Sequence, residues 1–322
     1  MKAVRVHETG GVEALRLDEV PRPQPGPGEL LVRVGAAGVN FRDVYQRSGV
    51  VPLPLPLTLG LEGAGTVEAL GAGVEGFAPG DRVAWAMGQG AYAECALAPA
   101  ERTVRLPAEV GDDVGAALLA QGLTAHYLSH ETFPLQPGQR ALVHSGAGGV
   151  GLLLIQLAKL RGAEVLTTVS SEEKAALARQ AGADHAILYT RQDFAQETRR
   201  LTGGEGVHVV YDGVGRDTFQ GSLDALRLCG TLVLYGQSSG LVPPFNLYEL
   251  SDRGSLFVTR PHLIHHIRTR EMFLRRAEAL LEWVRADRLR VRIGGRYALA
   301  DAAQAHRDLE ARRTVGKLLL LP

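Results

Sequence analysis

A chain of 322 residues is long enough for one large domain or for two ordinary ones, each with its own core. Lys+Arg and Asp+Glu both number 35, which leaves no electrostatic case for nucleic acid or an anionic membrane, and the 45% hydrophobic and 22% charged content is that of an ordinary globular protein. Two cysteines, Cys95 and Cys229, exclude a disulfide framework; with no apolar core of signal-peptide length in MKAVRVHETGG and no run of about 18 apolar residues, the expectation is a cytoplasmic protein with no membrane partner.

Residues 1–122 read as β-rich. Short apolar or alternating runs occur at Lys2–Val6, Leu30–Val34, Gly65–Leu70, Arg82–Ala86 and Ala91–Leu97. Gly and Pro punctuation such as Pro21–Gly28 and Ala78–Asp81 separates them, as in a barrel or sandwich. Val51–Leu57 has Pro at alternate positions and reads as a stiff apolar loop, because proline cannot serve a central strand.

Residues 123–262 alternate strand with helix. Strands are predicted at Arg140–His144, Glu164–Val169, His185–Leu188, Val207–Tyr211 and Thr231–Tyr235. Helical patterns lie between them at Val150–Arg161, Glu172–Gln180, Phe194–Leu201 and Thr218–Leu226. Repeated βα units with right-handed crossovers give a doubly wound parallel sheet, so the fold class is α/β. Residues 263–322 then give a helix over Arg268–Arg285, a strand, a helix over Ala300–Glu310 and a strand over Lys317–Leu320. This tail is expected to return to the N-terminal unit, which leaves an interdomain cleft as the natural ligand site.

The strongest chemical signal is Gly146-Ala147-Gly148-Gly149-Val150-Gly151, a G-x-G-x-x-G run between a strand and an amphipathic helix. Glycines permit a tight turn and close approach of a pyrophosphate, and the helix N-terminus offers unpaired N–H groups. Such runs are common in a chain with 39 glycines; the strand–turn–helix setting raises this one above a structural turn. At the end of the next strand an NAD site usually carries Asp or Glu for the ribose hydroxyl. Here that place falls on Ser170 or Ser171, with Lys174 one helical turn on, which suits the 2′-phosphate of NADPH. The plainer reading is that Ser170 caps the helix and Lys174 is a solvated charge, and Glu172 or Glu173 could still turn toward a ribose.

Two separate cysteines cannot build a cysteine metal cluster, and the group of His262, His265 and His266 reads as surface or structural. Several runs, among them Ala37-Gly38-Val39-Asn40-Phe41-Arg42-Asp43, Gly60-Leu61-Glu62-Gly63-Ala64-Gly65, Pro79-Gly80-Asp81-Arg82-Val83 and Tyr211-Asp212-Gly213-Val214-Gly215, together with the glycine turn, span the chain. They resemble the medium-chain dehydrogenase/reductase superfamily and, within it, the zeta-crystallin-like quinone oxidoreductases. Zinc alcohol dehydrogenases of that superfamily have Cys where this chain has Asn40 and His where it has Leu61, so the resemblance implies a zinc-independent enzyme.

The resemblance further implies a GroES-like catalytic domain, a Rossmann domain and a homodimer. It implies that Asn40 and Tyr45 lie near the nicotinamide and that Thr124, Gly148, Gly149 and Val150 contact the cofactor. Ser170, Lys174, Tyr189 and Arg312, or Arg313 beside it, would surround the 2′-phosphate, and Gly236, Ser238 and Phe257 would line the nicotinamide side. Each also has a packing or surface reading: Tyr45 as a loop aromatic, Tyr189 as a strand-end residue, Arg312 as a helix C-terminal charge. The expected reaction is hydride transfer from NADPH to a quinone, with Asn40 positioning the acceptor and the Tyr45 hydroxyl donating to its oxygen. The alternatives are reduction of an activated enone or enoyl double bond, and a non-catalytic, crystallin-like dinucleotide binder.

Overall fold

The computed structural model describes all residues from Met1 to Pro322. It divides into one unit of Met1–Leu123 with His266–Pro322 and another of Thr124–His265.

The first unit begins with strands β1 (Lys2–Val6), β2 (Leu15–Glu19) and β3 (Glu29–Val39) and the short helix α1 (Phe41–Arg47). It continues through β4 (Leu57–Thr58), β5 (Glu62–Leu70), β6 (Arg82–Ala86), β7 (Cys95–Pro99) and β8 (Thr103–Arg105). Residues 51–56 form no strand, as the alternating prolines require, and Val50, Leu53 and Leu55 are exposed; Leu57, expected in the same loop, instead opens β4 and pairs with Val6. Helix α2 (Asp112–Tyr127) then carries the chain across the boundary at Thr124.

The second unit alternates β9 (Arg140–Val143), α3 (Gly149–Leu160), β10 (Glu164–Val169), α4 (Glu172–Gln180), β11 (His185–Leu188), α5 (Phe194–Leu201) and β12 (Val207–Asp212). It closes with α6 (Phe219–Asp224), β13 (Leu226–Leu234), α7 (Tyr248–Asp252), β14 (Phe257–Thr259) and α8 (Leu263–His266). The six strands form one sheet in the order β11-β10-β9-β12-β13-β14, every pair parallel. The α/β reading and its doubly wound sheet are borne out. Strand β13 starts earlier than the apolar run at Thr231, because Leu226 already pairs with Val207 across a register shift.

The chain returns through α9 (Arg270–Arg285), β15 (Ile293–Ala298), α10 (Ala302–Glu310) and β16 (Lys317–Leu321). Strand β16 pairs antiparallel with β3, matching Leu318 to Val39 and Leu320 to Ala37. The first unit's larger sheet therefore runs β15-β16-β3-β5-β6-β8, with β7 also on β3, beside a small β2-β1-β4 sheet. Its core gathers Val32, Val67, Trp85, Tyr92 and Leu320, so residues from both ends of the chain share one apolar interior. The register puts the first residue of β16, Lys317, next to the end of β3, where Asn40 opens α1.

Candidate active site

In the second unit the turn after β9 is built for close backbone approach. Ser145 has φ +55°, and a Cβ at Gly146 would lie 1.9 Å from Thr167 Oγ1. One at Gly151 would lie 2.3 Å from the Ser145 carbonyl oxygen, so both positions need glycine for α3 to start this close to the sheet. Gly148 is the N-cap of α3 and no side chain caps it, so Gly149 and Val150 present first-turn N–H groups at the positive end of the helix. That arrangement fits a pyrophosphate.

A buried polar cluster anchors the turn from below. His144 Nδ1 is 2.8 Å from Thr168 Oγ1 and its Nε2 is 3.0 Å from Ser222 Oγ. Ser222 and Thr218 donate to Asp212 Oδ2 at 2.9 and 2.7 Å, while Asp212 Oδ1 accepts from the N–H groups of Val214 and Gly215. Burial pushes His144 below its usual imidazole range, so it serves as a neutral link between the two loops. Sequence reasoning missed His144, Ser222 and the anchoring role of Asp212; only the polar residues at successive strand ends hinted at them.

Ser170, Lys174 and Tyr189 come together at the C-terminal ends of β10 and β11. Val169 pairs with Leu188, the Tyr189 N–H donates to the Val169 carbonyl at 3.2 Å, and Thr190 Oγ1 donates to the Ser170 carbonyl at 3.2 Å. The expected alternative cap is corrected by one residue: Ser171, not Ser170, caps α4, its Oγ accepting from the Lys174 N–H at 3.3 Å. Ser170 sits one place before the cap, so its hydroxyl is not committed to the helix. Glu172 lies 3.6 Å from Arg191 and is drawn toward that cation. Partial burial lowers the Lys174 ammonium below its usual range, and an anion beside it would favour its charged form. Hydroxyls and a cation at the strand end fit a phosphate better than a bare ribose.

The remaining candidates are spread more widely. Gly236 and Ser238 follow β13, and their N–H groups donate to the carbonyls of Asp212 and Gly213 at 3.3 and 3.2 Å. Thr124 lies within α2. Arg312 and Arg313 are exposed just beyond α10 in the first unit, Arg312 at φ +57°. Phe257 lies apart from them in the sheet. It opens the edge strand β14, paired with Thr231 in β13, and is 60% exposed.

In the first unit Asn40 is the N-cap of α1, and its backbone N–H donates to Asp43 Oδ2 at 2.8 Å. Its side-chain amide is fully engaged. Nδ2 donates to Glu62 Oε1 at 2.9 Å and to the Gly38 carbonyl at 3.2 Å, and Oδ1 accepts from Lys317 Nζ at 2.8 Å. Lys317 is also ion-paired to Glu62 Oε1, and Glu62 Oε2 accepts from the Ala120 N–H at 2.7 Å. Glu62 and Lys317 are 0% and 1% exposed. Both were missed as site residues, although Glu62 stands beside Leu61 in a run already singled out.

This arrangement does not fit zinc. The Asn40 oxygen already faces an ammonium, Leu61 brings no donor atom, and no three His, Cys, Asp or Glu side chains are grouped to share an ion.

A second buried chain runs behind α1. Arg47, paired with Glu310 at 2.7 Å, lies 3.1 Å from His306 Nδ1. His306 Nε2 is 3.2 Å from Tyr92 Oη, and the Tyr92 hydroxyl donates to Asp43 Oδ2 at 2.9 Å. Burial raises the Asp43 carboxyl to about 7, against the pull of the Asn40 N–H and the Tyr92 hydroxyl. Burial, with Arg47 adding to it, lowers His306 to about 3. Tyr45 stands between Asp43 and Arg47 in the sequence of α1 but, two residues from each, off the face they share; its ring is 6.3 Å from that of Phe41.

With this geometry established, similarity to known proteins identifies the lineage. Residues 26–108 match the alcohol dehydrogenase GroES-like domain, and residues 149–283 match the domain described as zinc-binding dehydrogenase. The chain is 45% identical to a quinone oxidoreductase of Pseudomonas aeruginosa, covering 100% of this chain and 99% of that one. It is 42% identical to a 2-haloacrylate reductase of a Burkholderia species, covering 99% and 98%. Among solved structures, Escherichia coli quinone oxidoreductase complexed with NADPH superposes with a TM-score of 0.98 at 40% identity, with both chains fully covered. A mycobacterial protein complexed with NADPH gives 0.98 at 50% identity, again over both whole chains. The chain belongs to the medium-chain dehydrogenase/reductase superfamily, in its quinone oxidoreductase branch.

Proposed function

We propose that this protein is an NADPH-dependent quinone reductase that works without zinc or flavin. The reading is supported by a glycine turn at the N-terminus of α3 beside a strand end that carries Ser170, Lys174 and Tyr189, in a chain similar from end to end to quinone oxidoreductases. Bound NADPH supplies the hydride. Gly148, Gly149 and Val150 receive the pyrophosphate through backbone N–H groups, and Ser170, Lys174 and Tyr189 hold the 2′-phosphate. Thr124, Gly236 and Ser238 serve the cofactor further along. The Tyr45 hydroxyl donates to the acceptor oxygen as negative charge grows there, the point at which a fixed donor lowers the barrier. Asn40 is a fixed amide at the head of α1 rather than a free donor, because both of its N–H groups are in use.

The test is NADPH consumption by purified protein against a panel of quinones, enones and alcohols, with metal content measured on the same sample. Turnover with quinones at substoichiometric zinc is expected. Turnover confined to alcohols, or one zinc per chain with chelator-sensitive activity, overturns the proposal. The similarity to a 2-haloacrylate reductase favours a second reading, reduction of an activated double bond, which the enone arm distinguishes. No turnover with any acceptor, alongside tight NADPH binding, would point to a non-catalytic dinucleotide binder.

A homodimer assembled through the second unit is part of the same proposal. Its support is the unpaired edge of β14 and the exposed Leu228, Leu247, Tyr248, Phe257 and Val258. Light scattering should give twice the chain mass, and Phe257→Lys should give the monomer. A cytoplasmic setting is supported by two cysteines that are both free thiols, and no helix is long and apolar enough to cross a membrane.

A further inference from the structure

We infer that Glu62 and Lys317 are positioning residues that fix the orientation of the Asn40 amide at the head of α1; the inference rests on the reductase reading above. An asparagine amide has two edges of opposite chemistry on nearly the same shape, and packing alone distinguishes them poorly. Here the two neighbours leave no choice. An ammonium only donates and a carboxylate only accepts, so Oδ1 must face Lys317 and Nδ2 must face Glu62. The Gly38 carbonyl takes the second Nδ2 hydrogen, and the Ala120 N–H holds the other Glu62 oxygen.

The cluster has little freedom to relax. A Cβ at Gly38 would lie 2.7 Å from Glu62 Oε1, 2.7 Å from Lys317 Cε and 2.6 Å from the Ala116 carbonyl oxygen. A buried ion pair is a poor source of net stability, since desolvation offsets most of its attraction. Orientation of a neighbouring polar group is a use for which an ion pair of two unlike partners is well suited. With both hydrogens engaged and its oxygen held by Lys317, Asn40 acts as a fixed amide and leaves donation to Tyr45.

The chain contains asparagine only at positions 40 and 246, which makes the amide directly observable. Protein labelled with 15N-asparagine has two side-chain NH2 groups, and Asn40→Ala assigns them. The Asn40 hydrogens should exchange with solvent at least about a hundredfold more slowly than those of the exposed Asn246. That protection should be lost in Glu62→Gln/Lys317→Met, a neutral pair that avoids a lone buried charge. In turnover, the double variant should lower kcat at least about tenfold with NADPH affinity within about twofold, and Asn40→Ala added to it should cost nothing more. Equal exchange rates for the two asparagines, or kcat losses that multiply when Asn40→Ala is added, would overturn the inference. Should the double variant fail to fold, the wild-type exchange comparison still decides. Exchange is read without turnover, so a failure to reduce quinones condemns the reductase reading alone.

Discussion

Replacing Asp43 by Asn separates the cost of burying a carboxylate from the loss of its hydrogen bonds. The amide oxygen of Asn can still accept from the Asn40 N–H and the Tyr92 hydroxyl, which now lie 2.8 and 2.9 Å from Oδ2. Burial holds the folded carboxyl at about 7 against an ordinary 3.8. The folded state thus keeps its proton to higher pH than the unfolded chain, and the stability contributed in acid is lost as pH rises from about 4 through about 7. The full span is worth about 4 kcal/mol, of which about 2 kcal/mol falls between about pH 5.5 and about pH 8.5. His306 acts in the opposite sense. Its imidazole is lowered from 6.5 to about 3, so the unfolded chain takes up the proton first and stability is lost as pH falls through that window. Between about pH 4 and about pH 6.5 the two groups oppose each other and the wild-type curve flattens. Asp43→Asn should therefore gain about 2 kcal/mol on wild type between about pH 5.5 and about pH 8.5, and should expose the steep acid limb due to His306. Urea unfolding followed by tryptophan fluorescence suits the measurement, because Trp85 and Trp283 both lie in the unit that holds this chain of groups. A variant whose difference from wild type is the same at both pH values would refute the reasoning.

Lys174→Ala should raise the NADPH KM by roughly ten- to a hundredfold and leave the NADH KM nearly unchanged, since a charge-assisted contact is worth about 1.5–3 kcal/mol. Ser170→Asp should invert the preference; a wild type that favours NADH, or equal losses for both cofactors, would show the strand end misread. Tyr45→Phe keeps the ring and should lower kcat by about tenfold or more, while unchanged kcat and KM for the best quinone would remove the hydroxyl from the chemistry. Gly38→Ala drives a methyl into Glu62, Lys317 and the Ala116 carbonyl and should cost at least about 2 kcal/mol of stability in urea; a stability equal to wild type would mean that this corner yields more readily than its contacts imply.

What sequence alone determined here is what adjacent residues encode. The alternation of strand and helix from residue 140 to 234 follows from the period of its apolar residues, and the dinucleotide turn from glycines between one strand and one helix. Both are local; the alternation appears, with β13 starting earlier than its apolar run, and the glycine run lies between β9 and α3. The Ser170–Lys174 spacing was also legible, because one helical turn fixes it; which serine caps α4 was not, since Ser170 and Ser171 differ only in the dihedrals at one residue boundary. Tertiary structure alone decided the surroundings of Asn40. Lys317 reaches it across 277 positions because β16 pairs with β3, and Glu62 because β5 lies on the other side of β3. Sheet order decided the place of Phe257 as well: it pairs with Thr231 on an edge strand. Side-chain period tells which face a residue occupies, but strand order and register tell which residue stands beside it, and those depend on the whole sheet closing at once.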